Sequence, residues 1–205
     1  MKPDLADLAA PAHTAVVTQE CQGAVMGPDA GLAVLAAEAR REALPNIVRL
    51  LASARAAGVR VVHCLVQRRP DGLGSNHNAR LFAGAKGLDV TPGSDGATLL
   101  PELGPEPSDL VLALWHGIGP MGGTDLDPIL RNLGVSTIVA VGVSLNVAIP
   151  NLVMDAVNKG YRVVLPRDAV AGVPAEYGTA VIENSLSLLA TVTDTDDLLA
   201  AWQVP

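Results

Sequence analysis

The sequence predicts an α/β domain, a three-layer α/β/α sandwich built on a mainly parallel sheet of about six strands. Short β-branched runs alternate with helical patterns along the chain, an order typical of a parallel sheet with helices on both faces. The runs are apolar throughout, as in strands that are buried on both faces. Gly58, Gly134 and Gly160 each stand between a helical pattern and the next run, where a left-handed residue ends a helix.

Each strand is a short apolar run, and most helices occupy the stretches between two runs. The predicted strands are Thr14–Thr18 (TAVVT), Val59–Val66 (VRVVHCLV), Leu110–Leu114 (LVLAL), Thr137–Val143 (TIVAVGV), Arg162–Leu165 (RVVL) and a short one near Thr191–Val192. The predicted helices are about Arg40–Ala57, Leu126–Leu133, Val147–Lys159, Ala175–Leu189 and Asp196–Trp202. The chain from Gln67 to Ser108 is rich in Gly, Pro, Asp and Asn, and we expect a long functional loop there.

Composition excludes several classes of protein. The chain has 205 residues, a length that favours one domain spanning 1–205. With 49% hydrophobic and 17% charged residues, it is neither disordered nor a coiled coil. Aromatic residues make up only 2% and the formal net charge is −7, whereas nucleic-acid modules need exposed aromatic faces and basic stripes. We therefore expect no nucleic-acid partner.

The cellular location is predicted from the cysteines, the first residues and the most apolar stretch. Two cysteines cannot build a disulfide framework, and MKPDLADLAAPAH has acids and prolines where a signal peptide has an apolar segment. Residues Val135–Met154 are about as long as a membrane span, but Gly142, Asn146 and Pro150 interrupt them. We expect a cytoplasmic protein with reduced cysteines and no membrane association.

Two signals that carry chemistry in other proteins are weak in this chain. GIGPMG (Gly117–Gly122) follows a strand and fits the GxGxxG pattern of dinucleotide-binding proteins, but the next strand ends VGVSLN without the acid that binds the ribose. The four histidines are scattered, so neither a metal site nor another cofactor is predicted. His63, Cys21 and Cys64 are expected in the core.

Residues Gly123–Val170 resemble the most specific block of the isochorismatase-like hydrolases, which are also called cysteine hydrolases. That block has a GT-x-L helix, a strand ending GV-x-x-N-x-C, a helix ending DA-x-x-x-GY and a strand ending Asp-Ala; this chain has GTDL, GVSLNVA, DAVNKGY and RDA. AVVTQECQ (Ala15–Gln22) resembles the family's strand that ends in Asp-x-Gln. The resemblance covers most of the chain and implies a Rossmann-like, parallel six-stranded sandwich, in agreement with the alternation of strands and helices.

The resemblance aligns the family's catalytic positions with residues of different chemistry. The family's cysteine nucleophile aligns with Ala148 and its aspartate with Glu20, while its lysine falls near Trp115 or His116. The resemblance thus implies Glu20 and His116 as catalytic residues. The residues expected around the bound molecule are Gln22, Trp115, Val143, Ser144, Asn146 and Ala148.

Three functions are compatible with these residues. The first is hydrolysis of a small amide, ureide or vinyl ether, with Glu20 as a general acid and His116 as a proton donor or orienting group. The second is a catalytically inactive family member that binds a small molecule or a protein partner. The third is nucleotide binding at Gly117–Gly122. The first is slightly favoured because Glu20 and His116 are both polar residues at strand ends.

The alignment also makes three geometric expectations. Glu20, His116 and Ala148 should converge on one pocket, because the ends of parallel strands share one edge of the sheet. Cys21 should face away from the Glu20 carboxylate, because neighbouring strand residues point to opposite faces. The family has a non-proline cis peptide after GV, which implies one at Val143–Ser144.

We expect a homodimer or a homotetramer in solution. The resemblance implies oligomers, and 17% of charged residues is below the roughly 25% usual in soluble domains, so a partner chain should cover part of the surface. Light scattering of the purified protein should therefore give a multiple of the 21.0 kDa chain mass. A mass close to one chain would contradict this expectation.

Overall fold

The computed structural model describes residues 4–203, and seven strands within them form one sheet flanked by helices. The strands are β1 (Thr14–Gln19), β2 (Arg60–Val66), β3 (Leu110–Leu114), β4 (Thr137–Val143), β5 (Arg162–Pro166), β6 (Val170–Ala171) and β7 (Thr191–Thr193). The α-helices are α1 (Leu5–Leu8), α2 (Gly23–Met26), α3 (Ala33–Arg41), α4 (Ala43–Ala56), α5 (Arg80–Gly84), α6 (Pro120–Gly123), α7 (Leu126–Asn132), α8 (Ala148–Asn158), α9 (Ala175–Asn184) and α10 (Thr195–Trp202).

The sheet has the strand order β3-β2-β1-β4-β5-β7, with the two-residue strand β6 beside β4. Every pair of neighbouring strands is parallel. The predicted three-layer sandwich is therefore confirmed, and β6 is the strand that the sequence did not indicate. The chain runs outward from β1 in both directions, so β1 and β4 occupy the centre.

One predicted helix is wrong as a single element. The stretch expected as a helix over about Arg40–Ala57 is divided between α3 and α4, which are separated at Glu42 (φ −137°, ψ −50°). Pro45 is the third residue of α4, and its ring would clash with the carbonyl of Arg41 in a continuous helix. The predicted helix Ala175–Leu189 likewise ends at Asn184, followed by a 3-10 turn at Leu186–Leu188.

Apolar side chains form one cluster on each face of the sheet. On one face Val16, Val61 and Val139 pack with residues of α4, and on the other Val17 and Ile138 pack with residues of α7 and α8. Helix α4 places Ile47, Leu50, Leu51 and Ala54 toward the sheet with no exposed surface, at the spacing that one helix face requires. Both faces of β1 and β4 are covered in this way, which explains their unbroken apolar sequences.

A buried polar network joins the centre of the sheet to its edge. His63 has no exposed surface, and its Nδ1 lies 2.8 Å from Thr18 Oγ1 while its Nε2 lies 3.4 Å from Asp109 Oδ2. Arg55 of α4 binds the same carboxylate through two nitrogen atoms, at 3.2 and 2.7 Å. Burial lowers the pKa of His63, and Asp109 opposes this shift. The predicted core histidine is confirmed, with a partner for each ring nitrogen.

The edge strand β3 leaves apolar surface uncovered. Leu110 and Val111 are 36% and 56% exposed, and Trp115 and Ile118 follow them with 42% and 40%. A second chain would gain by covering this edge, but the oligomeric state stays a prediction. Across residues 4–203, no helix combines the length and the apolar character that crossing a membrane requires.

Two arginines of α4 allow a buried ion pair to be compared with an exposed one. The Arg55–Asp109 side chains are 10% and 2% exposed, whereas those of Arg49 and Asp196 are 50% and 79% exposed. Arg55→Met should lower the free energy of unfolding by about 3–5 kcal/mol, because it leaves a buried carboxylate without its partner. Arg49→Met should change it by about 1 kcal/mol or less. Urea denaturation measures both, and equal losses would contradict the assignment.

Candidate active site

The polar residues of the predicted site lie at the carboxyl edge of four adjacent strands. Glu20 follows β1, Ser144 follows β4 and His116 follows β3, with β2 between β3 and β1. In a doubly wound sheet this edge is where ligands bind. Strands lie about 4.8 Å apart, so the ends of β1 and β3 are roughly 10 Å from each other. The shared edge is thus present, and a molecule that contacts both Glu20 and His116 has to span the end of β2.

Glu20 is the first residue beyond the buried strand β1. It has a positive φ of 57°, and its backbone N–H donates to the Cys64 carbonyl oxygen at 2.9 Å. The Gln19 side chain donates from Nε2 to Glu20 Oε1 at 3.1 Å. Burial raises the pKa of Glu20 from its ordinary 4.5 to about 7, although the Gln19 hydrogen bond lowers it. A carboxyl group of this kind can hold a proton near neutral pH.

Two of the residues expected around the bound molecule use their side-chain amides to hold backbone. Gln22 accepts from the Val66 N–H at 2.6 Å and donates to the carbonyl oxygens of Val66 and Gly96 at 3.0 and 2.8 Å. Asn146 accepts from the Val173 N–H at 2.9 Å and donates to the Val173 carbonyl oxygen at 2.6 Å. These bonds fix the ends of β1 and β4. A direct contact of either amide with a ligand stays a prediction.

The turn after β4 has the expected backbone but no reactive side chain. The Val143–Ser144 peptide bond is cis, as the resemblance implied. The Ser144 carbonyl oxygen accepts from the Val147 and Ile149 N–H groups at 3.2 and 3.0 Å, and Ala148 begins α8 with 4% of its surface exposed. A helix start lowers the pKa of a thiol placed there. Ala148 has only a methyl group, so this position provides no nucleophile.

Neither cysteine replaces the missing nucleophile. Cys21 has no exposed surface and packs in the apolar cluster of the α4 face, with Sγ 3.6 Å from the Gln19 carbonyl oxygen. Burial raises the pKa of the Cys21 thiol to about 12, and the nearby Glu20 charge raises it further. Burial also raises the pKa of Cys64, which is 1% exposed in the opposite cluster. Both thiols are confirmed as core residues and stay protonated at neutral pH.

A pocket of about 350 Å³ opens beside His116, at the ends of β2 and β3. Trp115 and His116 line it, so these two predicted site residues share one cavity. Its opposite wall comes from the long segment after β2, as expected, and includes Asn76 and His77. The other predicted site residues are not among its lining; they are Glu20, Gln22, Val143, Ser144, Asn146 and Ala148. Convergence of Glu20, His116 and Ala148 on one pocket stays a prediction.

Three further residues take part in this region without a clear sequence signal. Gln19 has no exposed surface, and its Oε1 has no hydrogen-bond partner within residues 4–203. Phe82 and Lys86 line the pocket from α5 and the turn after it. Gln19 stood out only as a polar residue at the end of an apolar strand. Phe82 and Lys86 lie in a segment whose path is set by tertiary contacts, so no local pattern in the sequence indicated either residue.

The GIGPMG segment serves helix packing in this structure. A Cβ atom on Gly119 would lie 1.6 Å from Asn151 Oδ1, so the glycine allows the chain to approach α8. The helix that follows, α6, has four residues. This contact accounts for a glycine without any bound phosphate. Within residues 4–203, no three His, Cys, Asp or Glu side chains are grouped closely enough to hold a metal ion.

Comparisons with known proteins agree on one family. The family model described as Isochorismatase domain matches residues 14–197. The ureidoacrylate amidohydrolase RutB of Rhizobium rhizogenes is 26% identical over 90% of this chain and 82% of its own length. A cysteine hydrolase from Pseudomonas syringae has a TM-score of 0.84 at 24% identity, covering 94% of this chain and 93% of that one. An N-carbamoylsarcosine amidase from Thermoplasma acidophilum has a TM-score of 0.74 at 25% identity, covering 90% and 97%.

The raised pKa of Glu20 should make stability depend on pH. The unfolded chain ionises this carboxyl near 4.5 and the folded chain near 7, so the folded state binds more protons between these values. The stability gained from protonated Glu20 is complete below about 4.5 and is lost as the pH rises through about 7. The free energy of unfolding of the wild type, minus that of Glu20→Gln, should fall over this range. The contribution of His63 is the same in both proteins and cancels in this difference. A difference that does not change with pH would contradict the raised pKa of Glu20.

Proposed function

The chain belongs to the isochorismatase family, and we propose that it is a hydrolase of a small molecule that uses Glu20 as a general acid and has no cysteine nucleophile. One observation carries the proposal. The Glu20 carboxyl stands at the carboxyl edge of the central strand, where burial raises its pKa to about 7. A general acid works best when its pKa lies near the working pH, because it then holds a proton and can still release it.

The proposed reaction needs no covalent intermediate. With an amide or ureide, water attacks the carbonyl carbon while Glu20 gives its proton to the leaving nitrogen and the C–N bond breaks. The second water proton returns to the Glu20 carboxylate, so the acid is restored after each turnover. With a vinyl ether, Glu20 protonates the terminal alkene carbon, and water adds to the neighbouring carbon and returns one proton to the Glu20 carboxylate. The C–O bond of the resulting hemiketal then breaks as its hydroxyl proton passes to the departing oxygen, which leaves a ketone and an alcohol.

An amide or ureide is the favoured substrate within this proposal. The similar proteins include a ureidoacrylate amidohydrolase and an N-carbamoylsarcosine amidase, and both names describe cleavage of a C–N bond. The proposal assigns His116 to the far end of the substrate, because roughly 10 Å of sheet edge separates the ends of β3 and β1. In this assignment His116 orients the substrate, with Trp115 beside it, and Glu20 acts at the scissile bond. A small-molecule substrate and a cytoplasmic location remain part of the proposal.

The second candidate is a family member that binds a small molecule or a protein partner without turnover. The observation that favours it is the methyl group of Ala148 at the helix start, together with two thiols that burial keeps protonated. If the family's reaction requires a thiolate, this chain has none to offer. The two candidates differ in whether any product is released.

Turnover on a panel of primary amides, ureides and vinyl ethers separates the candidates. We expect release of ammonia or of the matching alcohol by the wild type, with kcat/KM falling as the pH rises through about 7. Glu20→Gln should lower kcat by about 10²–10⁴-fold, the range for loss of a general acid. The control Glu183→Gln removes an exposed carboxylate from α9 and should leave kcat unchanged. Ligand-induced melting shifts without product across the panel would support the inactive candidate.

The cysteines provide an internal check on the mechanism. Cys21→Ser and Cys64→Ser should each keep wild-type kcat in folded protein, because neither thiol is exposed or ionised. Iodoacetamide treatment of the native protein should likewise leave turnover intact. Complete loss of activity in a folded Cys21→Ser variant would make Cys21 the nucleophile and overturn the assignment of Glu20.

A further inference from the structure

The pocket beside His116 is held open by side chains that bind backbone. Arg68 reaches across the loop after β2 and donates to the carbonyl oxygens of Ala85 and Lys86, each at 3.0 Å, and of Leu88. Its own N–H donates to the Val90 carbonyl oxygen at 3.0 Å. These bonds fix the turn that carries Lys86 against the end of β2.

A hydrogen bond between the long loop and the segment after β3 holds another side of the pocket. The Gly117 N–H donates to Asn76 Oδ1 at 2.8 Å, which joins the segment after β3 to the long loop. The Gln67 N–H donates to the Leu114 carbonyl oxygen at 2.9 Å and keeps the two strand ends together at the floor. The cavity of about 350 Å³ therefore has three braced sides and a volume suited to a small molecule.

The charges around this pocket favour an anion. Asp71 is the acidic residue of the lining, and Arg69 binds both of its oxygens, at 2.9 and 2.7 Å. The Arg69 hydrogen bonds hold the pKa of Asp71 at about 2, so its charge is permanent but already paired. Arg68 is occupied by backbone carbonyls. These hydrogen bonds do not neutralise the charge of Arg68. Lys86 has no carboxylate partner within residues 4–203, so both cations of the lining favour an anion, and the Lys86 ammonium is the one that the backbone does not hold, on a chain whose net charge is −7.

The apolar part of the lining favours a flat molecule. Phe82 and Trp115 both line the cavity, and the chain has only five aromatic residues of these types in total. Two aromatic side chains at one small pocket offer faces and edges against which a planar group packs well. The imidazoles of His77 and His116 also line the pocket and add hydrogen-bonding groups to it.

We propose that this pocket binds the carboxylate of a small planar molecule, with Lys86 as the ionic partner and Phe82 and Trp115 against its plane. His116 belongs both to this pocket and to the catalytic edge, which makes the pocket the recognition end of the substrate. That the bond to be cleaved lies near Glu20 rests on the proposed function. Binding of the planar carboxylate does not depend on turnover.

Calorimetric titration with three related probes tests the proposal on the full-length protein. Terephthalamate has a flat ring, an amide and one carboxylate; terephthalamide replaces the carboxylate by a neutral amide; the cyclohexane analogue of terephthalamate keeps the charge and loses the flat ring. The wild type should bind terephthalamate about tenfold more tightly than terephthalamide, as expected for a charge-assisted contact. It should also bind terephthalamate several-fold more tightly than the cyclohexane analogue.

Two lysine variants identify the charge that is responsible. Lys86→Met should bring the two affinities for terephthalamate and terephthalamide to within about twofold, and it should weaken the salt dependence of terephthalamate binding. Lys159→Met, which removes a lysine paired with Asp127 after α8, should keep the wild-type preference. Lys86 is exposed, and thermal melting verifies that its variant is folded.

Each outcome separates this proposal from the proposed hydrolysis. Equal affinities for terephthalamate and terephthalamide, or an unchanged preference in Lys86→Met, would overturn the anion site even if the protein releases ammonia from other amides. Equal affinity for the cyclohexane analogue would overturn the aromatic contact. The expected preference without any turnover would support the pocket and leave the hydrolase proposal unsupported.

Discussion

The complete burial of β1 is the constraint on which the rest of the structure depends. All six residues of this strand are buried, including the polar residues Thr18 and Gln19. Because water cannot reach them, their side chains need partners inside the protein. Thr18 is hydrogen-bonded to His63 of β2, and His63 contacts Asp109. Asp109 also binds Arg55, which links α4 to the start of the edge strand. One polar position in the central strand therefore accounts for four buried polar groups on one face of the sheet.

Burial of β1 also changes the pKa of the carboxyl group at the end of the strand. Gly142 of β4 has a φ of 109°, and a Cβ there would lie 2.3 Å from the Gln19 carbonyl oxygen, so only glycine lets the two central strands meet this closely. Glu20 emerges next to this contact, with Gln19 as its hydrogen-bond partner. Relative to the neutral acid, a carboxylate at such a place is less stable than it is in water, and the packing that stabilises the sheet therefore raises the pKa of Glu20.

The sequence predicts the sheet well and the candidate site in part. The apolar strands Leu110–Leu114 and Thr137–Val143 both have the bounds expected. Only Thr137–Val143 is buried on both faces, as its apolar sequence predicts, whereas Leu110 and Val111 of the edge strand are exposed. The break at Glu42 was missed although Pro45 indicated it, and β6 is too short for a periodic signal. The resemblance located the cis bond after Val143, whereas Phe82 and Lys86 escaped notice because Arg68 and Asn76 set the path of their loop through long-range contacts.

In the proposed function, the distance between the ends of β3 and β1 places substrate recognition and bond cleavage at different points of the sheet edge. A contact between Lys86 and a carboxylate stabilises the bound substrate and the transition state alike, so it lowers KM more than it raises kcat. In the proposed reaction Glu20 differs, because its proton would be transferred only as the bond breaks, and its loss would therefore lower kcat. The exposed side chain of Lys86 can be substituted without disturbing the core, whereas the carboxyl group of Glu20 depends on the packing of β1 and β4. Change of substrate is thus expected to arise in the loop after β2, and change of reaction at the ends of the two central strands.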